Sequence, residues 1–242
     1  MCALGLGLLL ILPAMTAAEA GVCPAARQAP AVTVTALLPP PPETHTASYR
    51  ELTSKLNRAL RPDSDALGLS SSLLGENPRS SFRMVPHGGQ DCYYLAALEV
   101  QFGYVERLVQ VAREVPEESC LYREILGHER KHVAVDDAVV RDSLPYVEAE
   151  VRRFAAGFGP VQAPDRETVD QLLDAALEKA MRPILDHVSA LENAAQDKVD
   201  TPAEYARVEN ACRIQAGPTE TAAAGTTRAP LAPGAQPRNG GK

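Results

Sequence analysis

A chain of 242 residues, 45% hydrophobic and 23% charged, has globular composition and room for one good-sized domain with tails. Its formal net charge of -7 excludes nucleic acid as a partner, because no basic patch is available to neutralise phosphates. No cluster of Lys and Arg offers a footprint on a membrane surface either.

Met1 to Ala20 reads as a secretory signal: an apolar core from Ala3 to Met15 precedes Ala18-Glu19-Ala20, with small residues at the two positions a signal peptidase inspects. Cleavage after Ala20 leaves a folded domain over residues 21–215 and a tail over 216–242, whose Ala, Gly, Thr and Pro content predicts disorder. The apolar run is too short to stay in a bilayer comfortably, so no stable membrane insertion is expected after cleavage. The mature chain is then secreted or periplasmic, where its four remaining cysteines form two disulfides. Three connectivities are possible; the expected one joins Cys92 to Cys120, tying the sheet to the start of a helix, and Cys23 to Cys212, joining the two ends of the domain.

Val32 to Leu38 is a β-branched run with strand character, ended by the four prolines Pro39 to Pro42, which impose an extended spacer. Tyr49, Leu52, Leu56 and Leu60 recur at helical spacing, and Arg61-Pro62-Asp63 stops that helix. Residues 64–80 are rich in Ser, Gly and Asn and read as a loop. Phe82 to Val85 and a turn at Pro86-His87-Gly88-Gly89 lead to two segments, Cys92 to Gln101 and Tyr104 to Arg113. Alternation in the second of these predicts an antiparallel hairpin, with Gly103 near its turn.

Val115-Pro116-Glu117-Glu118 opens a helix, with proline and two acids in its first turn. Leu121, Ile125, His128, His132 and Val135 follow helical spacing as far as Leu144, where Pro145 breaks or kinks the helix. Inside it stands His128-Glu129-Arg130-Lys131-His132. Residues i and i+4 of a helix share a face, so the two imidazoles can aim at one metal ion, and Glu129 can reach a water there as general base. Arg130 and Lys131 read as a solvated face.

A second helix runs from Tyr146 to Phe154, closed by Gly157-Phe158-Gly159-Pro160. A third covers Asp165 to Gln196, with Leu172, Leu173, Leu177, Ile184, Val188 and Leu191 on its apolar side and a kink at Pro183. Thr201-Pro202-Ala203-Glu204 has the form of a capping box and starts a fourth helix, which runs to about Arg213. Together these elements predict an α+β domain, a small antiparallel sheet or hairpin packed on a mainly helical body.

A catalytic zinc requires a third protein ligand. Asp136 lies on the histidine face but a turn too far for the same ion, and a hydrogen bond orienting His132 is its better role. Glu148 and Glu150 on the next helix, His187 on the third and Asp200 before the fourth remain open as the third ligand.

Cys92, Pro116, Cys120 and Leu126-Gly127-His128-Glu129-Arg130-Lys131-His132 together resemble a bacterial family of predicted secreted zinc-dependent proteases, catalogued as a domain of unknown function. The resemblance spans about Thr33 to Arg213, with the motif as its specific part. It implies a zincin-like metallopeptidase with Zn²⁺ on His128 and His132 and Glu129 as base, acting on a peptide or protein substrate. The family's second short motif, an Asp, a Thr and usually a His, has its nearest match in Val199-Asp200-Thr201, with no His following. The alternative is a non-catalytic exported binding or structural protein with a degenerate or structural metal site.

Overall fold

The computed structural model describes residues 22–55 and 65–215. The expected signal segment and tail lie outside them, as do Leu56, Leu60 and the expected stop at Arg61-Pro62-Asp63. Strand β4 (Gln90–Val111) is the axis of the fold. Strand β3 (Gly68–His87) runs antiparallel along one of its edges, while β5 (Val161–Ala163), β1 (Ala31–Leu37) and β2 (Glu43–Thr44) tile the other. β1 and β2 are parallel to β4 and β5 is antiparallel to it.

This overturns the expected small antiparallel sheet. Cys92 to Gln101 and Tyr104 to Arg113 do not pair with each other, because the first segment and the second as far as Val111 belong to the single strand β4. The sheet has five strands, two of them 20 and 22 residues long, and β4 takes parallel partners on one side. The residues read as a loop, 64–80, supply most of β3. The turn at the tip is Gly88-Gly89, with φ of 60° and 81°, values that glycine adopts without cost. Gly103, expected near a turn, lies mid-strand at φ 153°. A Cβ there would stand 2.1 Å from the carbonyl oxygen of Leu37, so its glycine lets β1 close on β4.

Four helices complete the chain: α1 (Tyr49–Lys55), α2 (Cys120–Gly157), α3 (Arg166–Gln196) and α4 (Pro202–Gln215). α2 begins later than Pro116, where the Ser119 hydroxyl accepts from the N–H of Tyr122 at 3.0 Å. Asp165 caps α3 in the same way through Thr168, at 2.8 Å. Pro145 does not divide α2 in two, and Pro183 does not interrupt α3. Both prolines lie on the exposed side of their helices, away from the packed core.

α2 and α3 pack antiparallel, with His132 meeting Gln196 at one end and Tyr146 meeting His187 further along. Their buried stripes, Val140, Val147 and Val151 on α2 and Leu173, Leu177, Met181, Ile184 and Val188 on α3, close over Leu98, Val100, Phe102 and Tyr104 of β4. Leu172 and Leu191, expected on the apolar face of α3, are 49% and 45% exposed.

The disulfides are Cys23–Cys92 and Cys120–Cys212, not the expected pairs. A straight strand of 22 residues rises roughly 70 Å. Cys92 at the start of β4 and Cys120 beyond its end are therefore carried apart. Two disulfides are the chemistry of an oxidising environment. No helix among the described residues is long and apolar enough to cross a membrane.

Candidate metal centre

His128, Glu129, His132 and Asp136 lie on the buried side of α2 and are fully shielded from solvent. Asp200 reaches them from the turn that follows α3. Its Oδ1 stands 3.3 Å from His128 Nε2 and 3.2 Å from His132 Nε2, and the two Nε2 atoms are 3.1 Å apart. Three donors thus form a near-equilateral triangle.

A tetrahedral zinc with bonds of about 2.0–2.1 Å separates its donors by roughly 3.3 Å, which is the spacing found here. His128, His132 and Asp200 could hold a metal ion. Of the four candidates for the third ligand, the structure brings in Asp200 alone. Glu148 and Glu150 form ion pairs with Arg152 and Arg153 on the outer part of α2, and His187 is exposed beside Tyr146.

The protonation pattern follows from the groups behind the ligands. Gln196 donates its amide N–H to the His132 carbonyl at 3.1 Å and to Asp136 Oδ1. Both partners are acceptors, so its amide oxygen must face His132 Nδ1. Nδ1 then carries the proton and Nε2 presents its lone pair to the centre. Asp136 therefore reaches His132 through Gln196 and not by the expected direct hydrogen bond. When no metal is bound, burial opposes charge on His132, yet the hydrogen bond that the imidazole donates to Asp200 and the charge of Glu129 prevail and raise its pKa to about 9.

On the other side, Glu204 Oε1 lies 3.5 Å from His128 Nδ1. Burial would raise its pKa, but Arg207 and Lys131, at 2.9 Å and 2.6 Å, hold its carboxylate down to about 2. Glu204 is thus a fixed anion facing His128. Lys131 is not merely solvated, since it ties the motif helix to α4. Arg130 pairs with Glu43 at 2.7 Å and 2.8 Å.

Gln196→Leu keeps the volume at that position but leaves His132 Nδ1 without its acceptor. The expected result is a loss of about 10–100-fold in metal affinity, measured by competition with a chromogenic chelator. Unchanged affinity would mean that the Asp136–Gln196–His132 chain does not set the imidazole.

Next to the centre lies a second buried layer of Tyr104, Arg107, Asp136 and Glu192. Burial, then the charge of Asp136 and a hydrogen bond with it, raise Glu192 to about 8 against the pull of Arg107. Burial and the same two carboxylates keep the Tyr104 phenol protonated. A carboxyl raised on folding stabilises fully below its unfolded pKa of about 4.5, and that contribution is lost as pH climbs through the folded value, by at most about 1.4 kcal/mol per pH unit. Thermal melts should therefore fall between pH 5 and pH 8 in the wild type and fall less in Glu192→Gln. Parallel profiles would remove Glu192 as the cause.

No protein-family model, curated protein or solved structure matches this chain. The chemistry of the centre rests on its own geometry.

Proposed function

We propose that the protein is an exported zinc-dependent hydrolase of polypeptides, a metallopeptidase. The observation that carries this reading is the triangle of His128 Nε2, His132 Nε2 and Asp200 Oδ1, built on the helix that also bears Glu129. Two imidazoles and a carboxylate, with no fourth His, Cys, Asp or Glu joining them among the described residues, match a catalytic zinc. A structural zinc is closed by four protein ligands.

When bound there, zinc supplies Lewis acidity that polarises a carbonyl and acidifies water. The protein does the rest. Gln196 holds the His132 imidazole with its Nε2 toward the centre, and Glu204 places a negative charge beside Nδ1 of His128 while α4 lies over it. Glu129 accepts a proton from the attacking water and delivers it to the leaving amine. The resemblance to secreted zinc-dependent proteases supports the same reading, because Asp200 of Val199-Asp200-Thr201 is the residue that meets the two motif histidines. The two disulfides suit a secreted or periplasmic protein.

One observation favours a second reading, a structural metal site in a non-catalytic exported protein: the ligands are sealed from solvent. Metal analysis of the mature, oxidised protein, purified without chelator, tests both. About one zinc per chain is expected in the wild type and in Glu129→Gln, and hydrolysis of unfolded polypeptide, assayed before and after reduction of the disulfides, is expected only in the wild type. His128→Ala and Asp200→Ala are expected to carry none. A wild type that stays metal-free with zinc supplied sinks both readings, while one that binds zinc without hydrolysis in any state favours the structural site.

A further inference from the structure

α4 lies over the His128 side of the centre. The Tyr205 ring lies 5.9 Å from the His128 ring and Glu204 lies beside Nδ1 of the same residue. Yet α4 is thinly held, since Val208 is the one residue buried among its described side chains. Among its ties to α2 are the Lys131–Glu204 and Arg207–Glu124 ion pairs, both 2.6 Å, and the disulfide Cys120–Cys212. Surface ion pairs contribute little to holding an element down. The covalent tie is the strong one.

Asp200 does not belong to this layer. The turn carrying it is bonded back to α3, through the N–H groups of Val199 and Asp200 to the Gln196 carbonyl at 2.9 Å and 3.2 Å. Thr201 then caps α4, its hydroxyl accepting from the Glu204 N–H at 3.2 Å, and Pro202 follows. The chain can pivot at Thr201-Pro202 and leave all three ligands in place.

We propose that α4 is a hinged lid over the metal centre and that Cys120–Cys212 is its latch, so that access to the centre is controlled by a dithiol reductant. This rests on the hydrolase reading, for which a polypeptide must reach a centre that is closed while the latch is oxidised. In the opening step a thiolate of the dithiol attacks one sulfur of the bridge, breaking the S–S bond and forming a mixed disulfide. The second thiol of the dithiol then displaces the protein sulfur. Two electrons and two protons pass to the protein, which is left with two thiols, and the dithiol becomes a disulfide. Cys120 and Cys212 are both half-buried, so either sulfur is within reach, whereas the other bridge offers only Cys23, its Cys92 being fully buried.

The test uses the full mature chain loaded with zinc and compares the wild type, Cys120→Ser/Cys212→Ser and Cys23→Ser/Cys92→Ser. Zinc transfer to a chromogenic chelator is expected to be at least tenfold faster in the first double variant than in the wild type and unchanged in the second. Hydrogen exchange in the first should rise over residues 202–212 and not along α2 and α3, and peptide hydrolysis should rise with zinc transfer. In the wild type, dithiothreitol should produce the same local exchange, with Cys120 and Cys212 alkylated before Cys92. Equal transfer rates and equal exchange in all forms would overturn the latch, as would exchange that rises throughout α2 and α3. Faster transfer and local exchange without hydrolysis would uphold the lid and overturn the hydrolase reading, and exchange still tests the lid if no zinc binds.

Discussion

Arg107→Met is expected to destabilise the protein by about 3–5 kcal/mol, read as a fall in the midpoint of urea unfolding at unchanged slope. The guanidinium is 3% exposed and sits among acceptors on every side: Asp137 Oδ1 at 2.7 Å, Asp136 Oδ2 at 3.9 Å, and the carbonyls of Val133 and Pro39, each at 3.2 Å. Its face lies 4.7 Å from the centre of the Tyr104 ring. Methionine matches much of the volume and none of the charge. Asp136, whose side chain is 1% exposed, would then share a dry layer with Glu192 and no cation, and stranding a buried charge costs more than the pair gains. The double variant Arg107→Met/Asp136→Asn should recover part of the loss, because the stranded charge is removed with its partner. A single-variant loss below about 1 kcal/mol would show that water reaches this layer and screens it.

The same layer explains which parts of the molecule the sequence could disclose. The motif histidines are spaced for one face of one helix, so local periodicity suffices to bring them together. Asp200 is different, because its position depends on α3 lying antiparallel to α2 and ending level with His132. That is a packing outcome, and it left Asp200 as one of four open candidates. Gln196 carried a signal that apolar counting passes over: the buried stripe of α3 runs Met181, Ile184, Val188 and then Glu192, Gln196. Polar residues that keep the buried register mark a polar neighbour. β3 was hidden for the same reason, since Ser70 faces inward in the register of Ser72, whose hydroxyl donates to Asp136 at 3.2 Å. A strand whose inward positions meet a polar layer loses its alternation, and a strand rich in Ser, Gly, Asn and Pro reads as a loop. The disulfides failed with the sheet, because their expected pairing assumed a short hairpin where one long strand runs.

Gly68→Ala is expected to cut peptide hydrolysis about 100-fold while leaving zinc content unchanged, with a stability loss of about 1–3 kcal/mol. Gly68 is the first residue of β3, and a Cβ built on it would stand 2.4 Å from Glu129 Oε1 and 2.6 Å from Ile125 Cγ2. Glu129 is fully buried and Ile125 is 2% exposed, so neither can swing into solvent. Either the carboxylate turns away or the start of β3 lifts from α2, and both outcomes move the proposed base relative to the ligands. The ligands themselves are His128, His132 and Asp200, and none of them is among the atoms nearest that Cβ. Glu129→Gln removes the base chemically without the clash, so the pair of variants separates position from identity. If Gly68→Ala loses stability as expected but hydrolyses polypeptide at the wild-type rate, the carboxylate of Glu129 does not have to be held where β3 holds it, and Glu129 would lose its assignment as the base.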